Sequence, residues 1–66
     1  MNVNEFKKAW EDIGYNVKRV EIEDGTIYAD SYDIAVSSAD ENLFLYLSLG
    51  DRAVANIFLS KVTGVE

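Results

Sequence analysis

Two periodicities divide the chain. Over residues 3–13, Val3, Phe6, Ala9 or Trp10, and Ile13 recur at spacings of three and four, which aligns them on one face of a helix. Asn2 or Asn4 supplies an N-cap, and Glu5 suits the first turn. Gly14 stands where a left-handed residue would close the helix. The opposite face carries Lys7, Lys8, Glu11 and Asp12. Each acid lies four residues after a lysine, the weaker orientation for a helical ion pair, so these pairs add little.

From residue 15 the period drops to two. Lys18, Val20 and Ile22 share one face of a strand over 15–23, and Val17, Arg19, Glu21 and Glu23 share the other. Asp24-Gly25 signals a hairpin, because both central positions of a type I′ turn need positive φ. The return strand begins at Thr26, with Ile27 and Ala29 alternating with Tyr28 and Asp30. The pattern falters over 31–33 and resumes at Ile34 and Val36, which predicts a bulge or short break near Asp33. Residues 37–42 form a polar loop in which Asp40 or Asn42 shapes a local turn.

Leu43, Leu45, Leu47 and Leu49 then alternate with Phe44, Tyr46 and Ser48. Both sets are largely apolar, so this strand belongs at the centre of a sheet. A turn begins at Gly50-Asp51, and residues 52–63 fit two patterns. As a strand, Ala55, Ile57 and Leu59 oppose Val54, Asn56 and Phe58. As a helix, Asp51 caps a stripe of Val54, Ile57, Phe58 and Lys61 or Val62, with Gly64 ending it. β-Branched and aromatic residues after a short turn favour the strand. The expected fold is α+β in one domain, residues 1–66. An N-terminal helix packs on a small antiparallel sheet of three to four strands, ordered α-β-β-β-β, with α-β-β-β-α as the alternative. Phe6 and Trp10 anchor the helix, with Leu45, Leu47 and Ile57 as partners.

Composition narrows the chemistry. The chain has no cysteine, which excludes disulfides, zinc thiolates, iron–sulfur clusters and thiol catalysis. It has no histidine, the commonest general base and the usual zinc and haem ligand. Glu21 with Glu23, or Asp30 with Asp33, would supply two carboxylates. Acid–base work also demands a concave pocket holding them at a set gap, and a core this small can hardly build one. Solvated surface carboxylates are the simpler reading, and no enzyme activity and no cofactor are expected. Neither an EF-hand loop nor a glycine-rich phosphate loop is present. The N-terminal segment lacks an apolar signal core. The longest mostly apolar run, Leu43–Leu49, falls far short of the roughly 20 residues a membrane helix needs. A cytoplasmic location is the expectation.

The charges are distributed unevenly. Six Lys and Arg oppose twelve Asp and Glu, for a net charge of −6. Direct binding to nucleic acid or to an anionic membrane is disfavoured, since both need basic groups. Residues 20–51 contain Glu21, Glu23, Asp24, Asp30, Asp33, Asp40, Glu41 and Asp51 and no Lys or Arg. Such a field either keeps the protein dispersed or steers it to a partner with a basic surface. The candidate contact set is Glu21, Glu23, Asp24, Tyr28, Asp30, Tyr32 and Asp33. Alternation puts Tyr28, Asp30 and Tyr32 on one face, and tyrosine is favoured at binding hot spots.

A different class of function is self-association. One helix covers one face of a small sheet. The bare face would expose Phe44, Tyr46, Val54 and Phe58, and a two-fold homodimer would bury them.

Met1-Asn2-Val3-Asn4-Glu5-Phe6, the charged helix after it, and Tyr15-x-Val17-Lys18 entering a strand cover the first eighteen residues. This opening resembles that of small acidic phage-encoded anti-CRISPR proteins that inhibit type II-A CRISPR nucleases. The resemblance implies a phage or prophage inhibitor that occupies a nucleic-acid-binding surface of a host protein. The end of the chain, Lys61-Val62-Thr63-Gly64-Val65-Glu66, lacks the dense acidity expected of that family. The expected function is therefore a non-enzymatic protein-binding module that engages a basic surface, with the self-associating assembly protein as the alternative.

Overall fold

The computed structural model describes residues 1–36 and 42–66. Helix α1 spans Val3–Glu11 and begins at an Asn2 N-cap. The Asn2 side chain accepts from the Glu5 N–H at 2.8 Å, and Glu5 Oε1 accepts from the Asn2 N–H at 3.3 Å. This reciprocal pair satisfies two donors that would otherwise lack partners in the first turn. Phe6 and Trp10 are the buried stripe. The helix stops earlier than its apolar spacing suggests: Asp12 is the C-cap, in right-handed helical geometry. Gly14 is not among the glycines with positive φ, so it does not act as a left-handed terminator.

Strands β1 (Lys18–Ile22) and β2 (Gly25–Ala29) form the first hairpin. Ile22 pairs with Gly25, so Glu23 and Asp24 are the central turn residues. The turn thus sits one residue before the expected Asp24-Gly25. Gly25, at φ 152°, takes a backbone shape that side chains disfavour as it enters β2. Glu23 consequently lies in the turn rather than beside Glu21 on one strand face.

The return strand breaks at Asp30, not near Asp33. Past Asp30 the chain enters β3 (Ser31–Val36), which pairs with β4 (Leu43–Leu49) in a different sheet. Strand β5 (Arg52–Phe58) pairs with the other side of β4. A single 3₁₀ turn, Leu59–Lys61, then leads into β6 (Val62–Val65), which returns to pair with β1. The described residues therefore form two three-stranded antiparallel sheets, ordered β2-β1-β6 and β3-β4-β5.

The α+β class holds, but the single sheet of three to four strands becomes two sheets with six strands. Two corners, at Asp30 and at the 3₁₀ turn, let one run of chain serve both sheets, and bends of this kind are how strands switch layers. Residues 52–58 are a strand, so the α-β-β-β-α order does not occur. β4 is central in its sheet, as its two apolar faces require.

Phe6, Trp10, Val20, Ala29, Leu45, Leu47, Leu59 and Val62 form the core. It draws on the helix, both sheets and the 3₁₀ turn. Register sets the inner faces. Val20 stands opposite Ile27 in the first sheet, and Leu45 and Leu47 stand opposite Ile34 and Tyr32 in the second. The Tyr32 ring meets Phe6 and Trp10 edge-on, at centroid distances of 4.9 and 4.8 Å. The Lys18 ammonium lies 5.0 Å from the Trp10 ring centroid, so the aliphatic stem of Lys18 helps cover the helix.

Candidate functional site

The acidic residues singled out by the sequence fall in two places: Glu21 shares the outer face of the first sheet with Tyr28, next to the Glu23-Asp24 turn, whereas Asp30 and Asp33 lie at the corner and on the second sheet. Glu21 is on the outer face of the first sheet, where its carboxylate accepts from the Thr26 hydroxyl at 2.7 Å. Glu23 in the β1–β2 turn lies 3.8 Å from the Lys61 ammonium, and Asp24 is its neighbour in that turn. Asp30 occupies the β2–β3 corner. Its carboxylate accepts from the Gly50 N–H at 3.0 Å, and its own N–H donates to the Ser48 carbonyl at 2.9 Å. It ties the corner to the β4–β5 hairpin. Asp33 is exposed on the outer face of β3, opposite Tyr46. Asp40 and Glu41 lie outside the described residues.

The two tyrosines part company. Tyr28 is 53% exposed on the outer face of the first sheet, opposite Arg19. Tyr32 turns inward against Phe6 and Trp10. The corner at Asp30 resets the alternation, so Tyr28, Asp30 and Tyr32 do not share a face. Of the two carboxylate pairs, Glu21 and Glu23 are on strand and turn, and Asp30 and Asp33 are at a corner and on a sheet face.

The second sheet presents a different surface. Its inner parity is Tyr32, Ile34, Leu45, Leu47, Ala55 and Ile57, so its outer parity includes Asp33, Phe44, Tyr46, Asn56 and Phe58. Phe44 stacks on Phe58 at 4.8 Å between centroids, and Phe44 and Tyr46 lie 6.4 Å apart. Tyr46 is 41% exposed and Phe58 37%. A register shift at Leu47/Ser48 makes Val54 the extra residue of a bulge, outside the aromatic row but exposed beside it.

Three of the four residues expected on a bare face thus form one contiguous aromatic row. Asp33 is the one charged side chain of outer parity on these strands. Arg52, opposite Leu49 at the hairpin end, follows the other parity. The sequence alone did not join Asp33 and Asn56 to this row, because strand register across the second sheet is needed to place them beside Tyr46.

The outer face of the first sheet is polar by contrast. The Arg19 guanidinium donates to the Glu66 carboxylate at 2.6 Å, across a backbone pairing of the same two residues. Glu21 and Thr26 bond across the strands beside them. Among the described residues there is no cavity and no group of three or more acids able to hold a metal ion. No helix among them is long and apolar enough to cross a membrane. Comparison with known protein families, characterised proteins and solved structures finds no match to this chain.

Proposed function

We propose that the protein is a non-catalytic protein-binding module whose contact surface is the outer face of the β3-β4-β5 sheet. The observation that carries this reading is the solvent-facing row of Phe44, Tyr46 and Phe58. Aromatic rings ordered against one another offer contact area at little entropic cost and are the common anchors of binding hot spots. The partner class follows from charge. The face carries Asp33 and no cation of the same parity, and the chain as a whole is at −6. A partner with Lys and Arg around an apolar centre complements that pattern. A nucleic-acid-binding groove of another protein is one such surface, and an inhibitor of phage or prophage origin is the form that the N-terminal resemblance implies.

The contact set therefore shifts. Asp33 remains in it, Tyr46 and Phe58 join it, and Tyr32 leaves it for the core. A face-to-face homodimer through Phe44, Tyr46, Val54 and Phe58 is the competing occupant. It would join two chains that each carry a net charge of −6.

The test compares immobilised wild-type protein with three variants in capture from a host lysate at low and high salt. The variants are Tyr46→Ser, Asp33→Lys and, as control, Glu11→Lys with Asp12→Lys on the helix. One protein species retained at low salt, lost with both face variants and kept by the helix control, supports the proposal. Equal retention by all variants refutes it, as does a species that is merely a second copy of the chain.

A further inference from the structure

The outer face of β3-β4-β5 is stepped. Register lays its residues in three cross-strand lines: Ala35–Phe44–Phe58, Asp33–Tyr46–Asn56 and Ser31–Ser48–Ala53. The first line holds the stacked rings. The third is made of small side chains, so it is a low shelf beside Tyr46, bordered by the bulged Val54. Tyr46 divides the two levels. Phe44 stands on one side of it, at 6.4 Å and tilted by 42°, and Ser48 follows on the other. Asp33 and Asn56 flank Tyr46 directly across the strands, and all three are exposed. Side chains opposed in this way have Cβ atoms about 4.5–5.5 Å apart. The Ile34 N–H donates to Asp33 Oδ1 at 3.0 Å, which orients the carboxylate and leaves its second oxygen for another donor. The two ion pairs among the described residues, Arg19–Glu66 and Lys61–Glu23, lie at the first sheet, so neither neutralises Asp33.

We propose that this step is the seat for one arginine side chain of the partner. The inference rests on the β3-β4-β5 face being the contact surface, and it names what the centre of that face recognises. The guanidinium stacks on Tyr46 from the side of the shelf. The Asp33 carboxylate meets one edge of its plane and the Asn56 carbonyl oxygen the other. Three properties select this group. An aromatic face attracts a cation. A carboxylate beside that ring pairs with it, best when two N–H groups meet it side by side. Acceptors on both flanks, separated by two strand spacings of about 4.8 Å each, suit a flat group with donors around its rim. A lysine ammonium is compact and cannot reach both flanks while lying on the ring. The shelf supplies room for the arginine stem, and Phe44 and Phe58 take apolar residues next to it. Arg52 of the chain itself follows the opposite parity, so the seat is left to a partner.

Nuclear magnetic resonance of the isotope-labelled full chain reads the seat residue by residue. The probes are three capped tripeptides, leucine–X–leucine, with X arginine, lysine or citrulline. Lysine keeps the charge without the plane, and citrulline keeps the plane without the charge. The arginine peptide should shift the amide signals of Asp33, Tyr46, Ser48 and Asn56, with a Kd of roughly 1 mM. The other two should bind at least about fivefold more weakly. Asp33→Asn should weaken the arginine peptide about fivefold, and Tyr46→Leu, which keeps apolar bulk, about threefold. Glu11→Gln on the helix should change nothing, and circular dichroism confirms that each variant is folded. Equal binding of the arginine and lysine peptides would overturn the seat. So would shifts confined to the first sheet, no shift up to about 10 mM peptide, or an unchanged Kd in Asp33→Asn. Lysate capture separates this failure from failure of the underlying surface. Capture lost with Tyr46→Ser and Asp33→Lys, but without arginine preference in the peptides, overturns the seat alone. Capture kept by both variants removes the face and the seat together.

Discussion

Replacing Tyr32 by alanine tests whether the β2–β3 corner sorts the two tyrosines as described. Tyr32 makes two edge-on ring contacts, with Phe6 at 4.9 Å and Trp10 at 4.8 Å. Each such pair contributes about 0.5–1.5 kcal/mol beyond area burial. The ring is half-buried, so its removal also forfeits part of the burial term and leaves a gap under the helix. The sum is about 2–4 kcal/mol. At roughly 0.05–0.15 kcal/mol per residue, the whole domain has about 3–10 kcal/mol to lose. The variant should therefore melt about 10–30 °C lower.

Tyr32→Phe retains both ring contacts and should cost under about 1 kcal/mol. Tyr28→Ala, on the exposed face of the first sheet, should cost about 0.5 kcal/mol. The assay is urea unfolding followed by the fluorescence of the single tryptophan, Trp10, with thermal melts by circular dichroism. Equal midpoints for Tyr32→Ala and Tyr28→Ala would refute the placement of Tyr32 in the core and restore the shared tyrosine face.

The remaining predictions concern the devices that set the ends and corners of the elements. Gly50 has φ +63° at the first central position of the β4–β5 turn. Gly50→Ala should destabilise by about 1 kcal/mol through backbone strain, because a Cβ there meets no atom within 4 Å; an unchanged urea midpoint would count against this. Asn2→Ala removes the capping acceptor for the Glu5 N–H and should also cost about 1 kcal/mol, read as a lower melting temperature. Asp30→Ala frees the Gly50 N–H from the corner and should cost about 1 kcal/mol while leaving partner capture unchanged. Loss of capture without loss of stability would return Asp30 to the contact surface.

Local patterns marked most of the elements, and non-local geometry decided the rest. The Asn2 cap with Glu5, the alternation at Leu43–Leu49 and the turn after it all act within a few residues. Each is therefore visible in the chain itself. The corner at Asp30 is different. Residues 25–36 read as one interrupted strand, and nothing in their own pattern says that the halves serve two sheets. That outcome depends on pairing β2 with β1 and β3 with β4, contacts made at a distance in sequence. The same limit explains the misplaced tyrosine face, since strict alternation holds only while a strand stays in one sheet. The 3₁₀ turn at Leu59–Lys61 hid β6 in the same way: it bends the backbone so that Leu59 and Val62 both point into the core.

The two-sheet arrangement also explains why one surface is the stronger binding candidate. A nine-residue helix supplies two buried aromatic side chains, Phe6 and Trp10, and packs them with Tyr32. It cannot also shield the outer faces of both sheets. The first sheet meets water with Arg19 paired to Glu66, Thr26 bonded to Glu21, and one isolated tyrosine, groups that hydrate well and satisfy one another. The second meets water with Phe44 stacked on Phe58 and Tyr46 beside them. Apolar rings on an outer face add nothing to the core of the monomer and carry a hydration cost, whereas covering them recovers about 25 cal/mol per Å² of apolar surface. Scattered apolar residues on a surface are ordinary, but rings in mutual contact form a patch, and a patch is where a partner gains most from docking. On the proposed reading, acidity would select the partner rather than bind it: Asp33 beside the row and the net charge of the chain oppose acidic surfaces and favour basic ones.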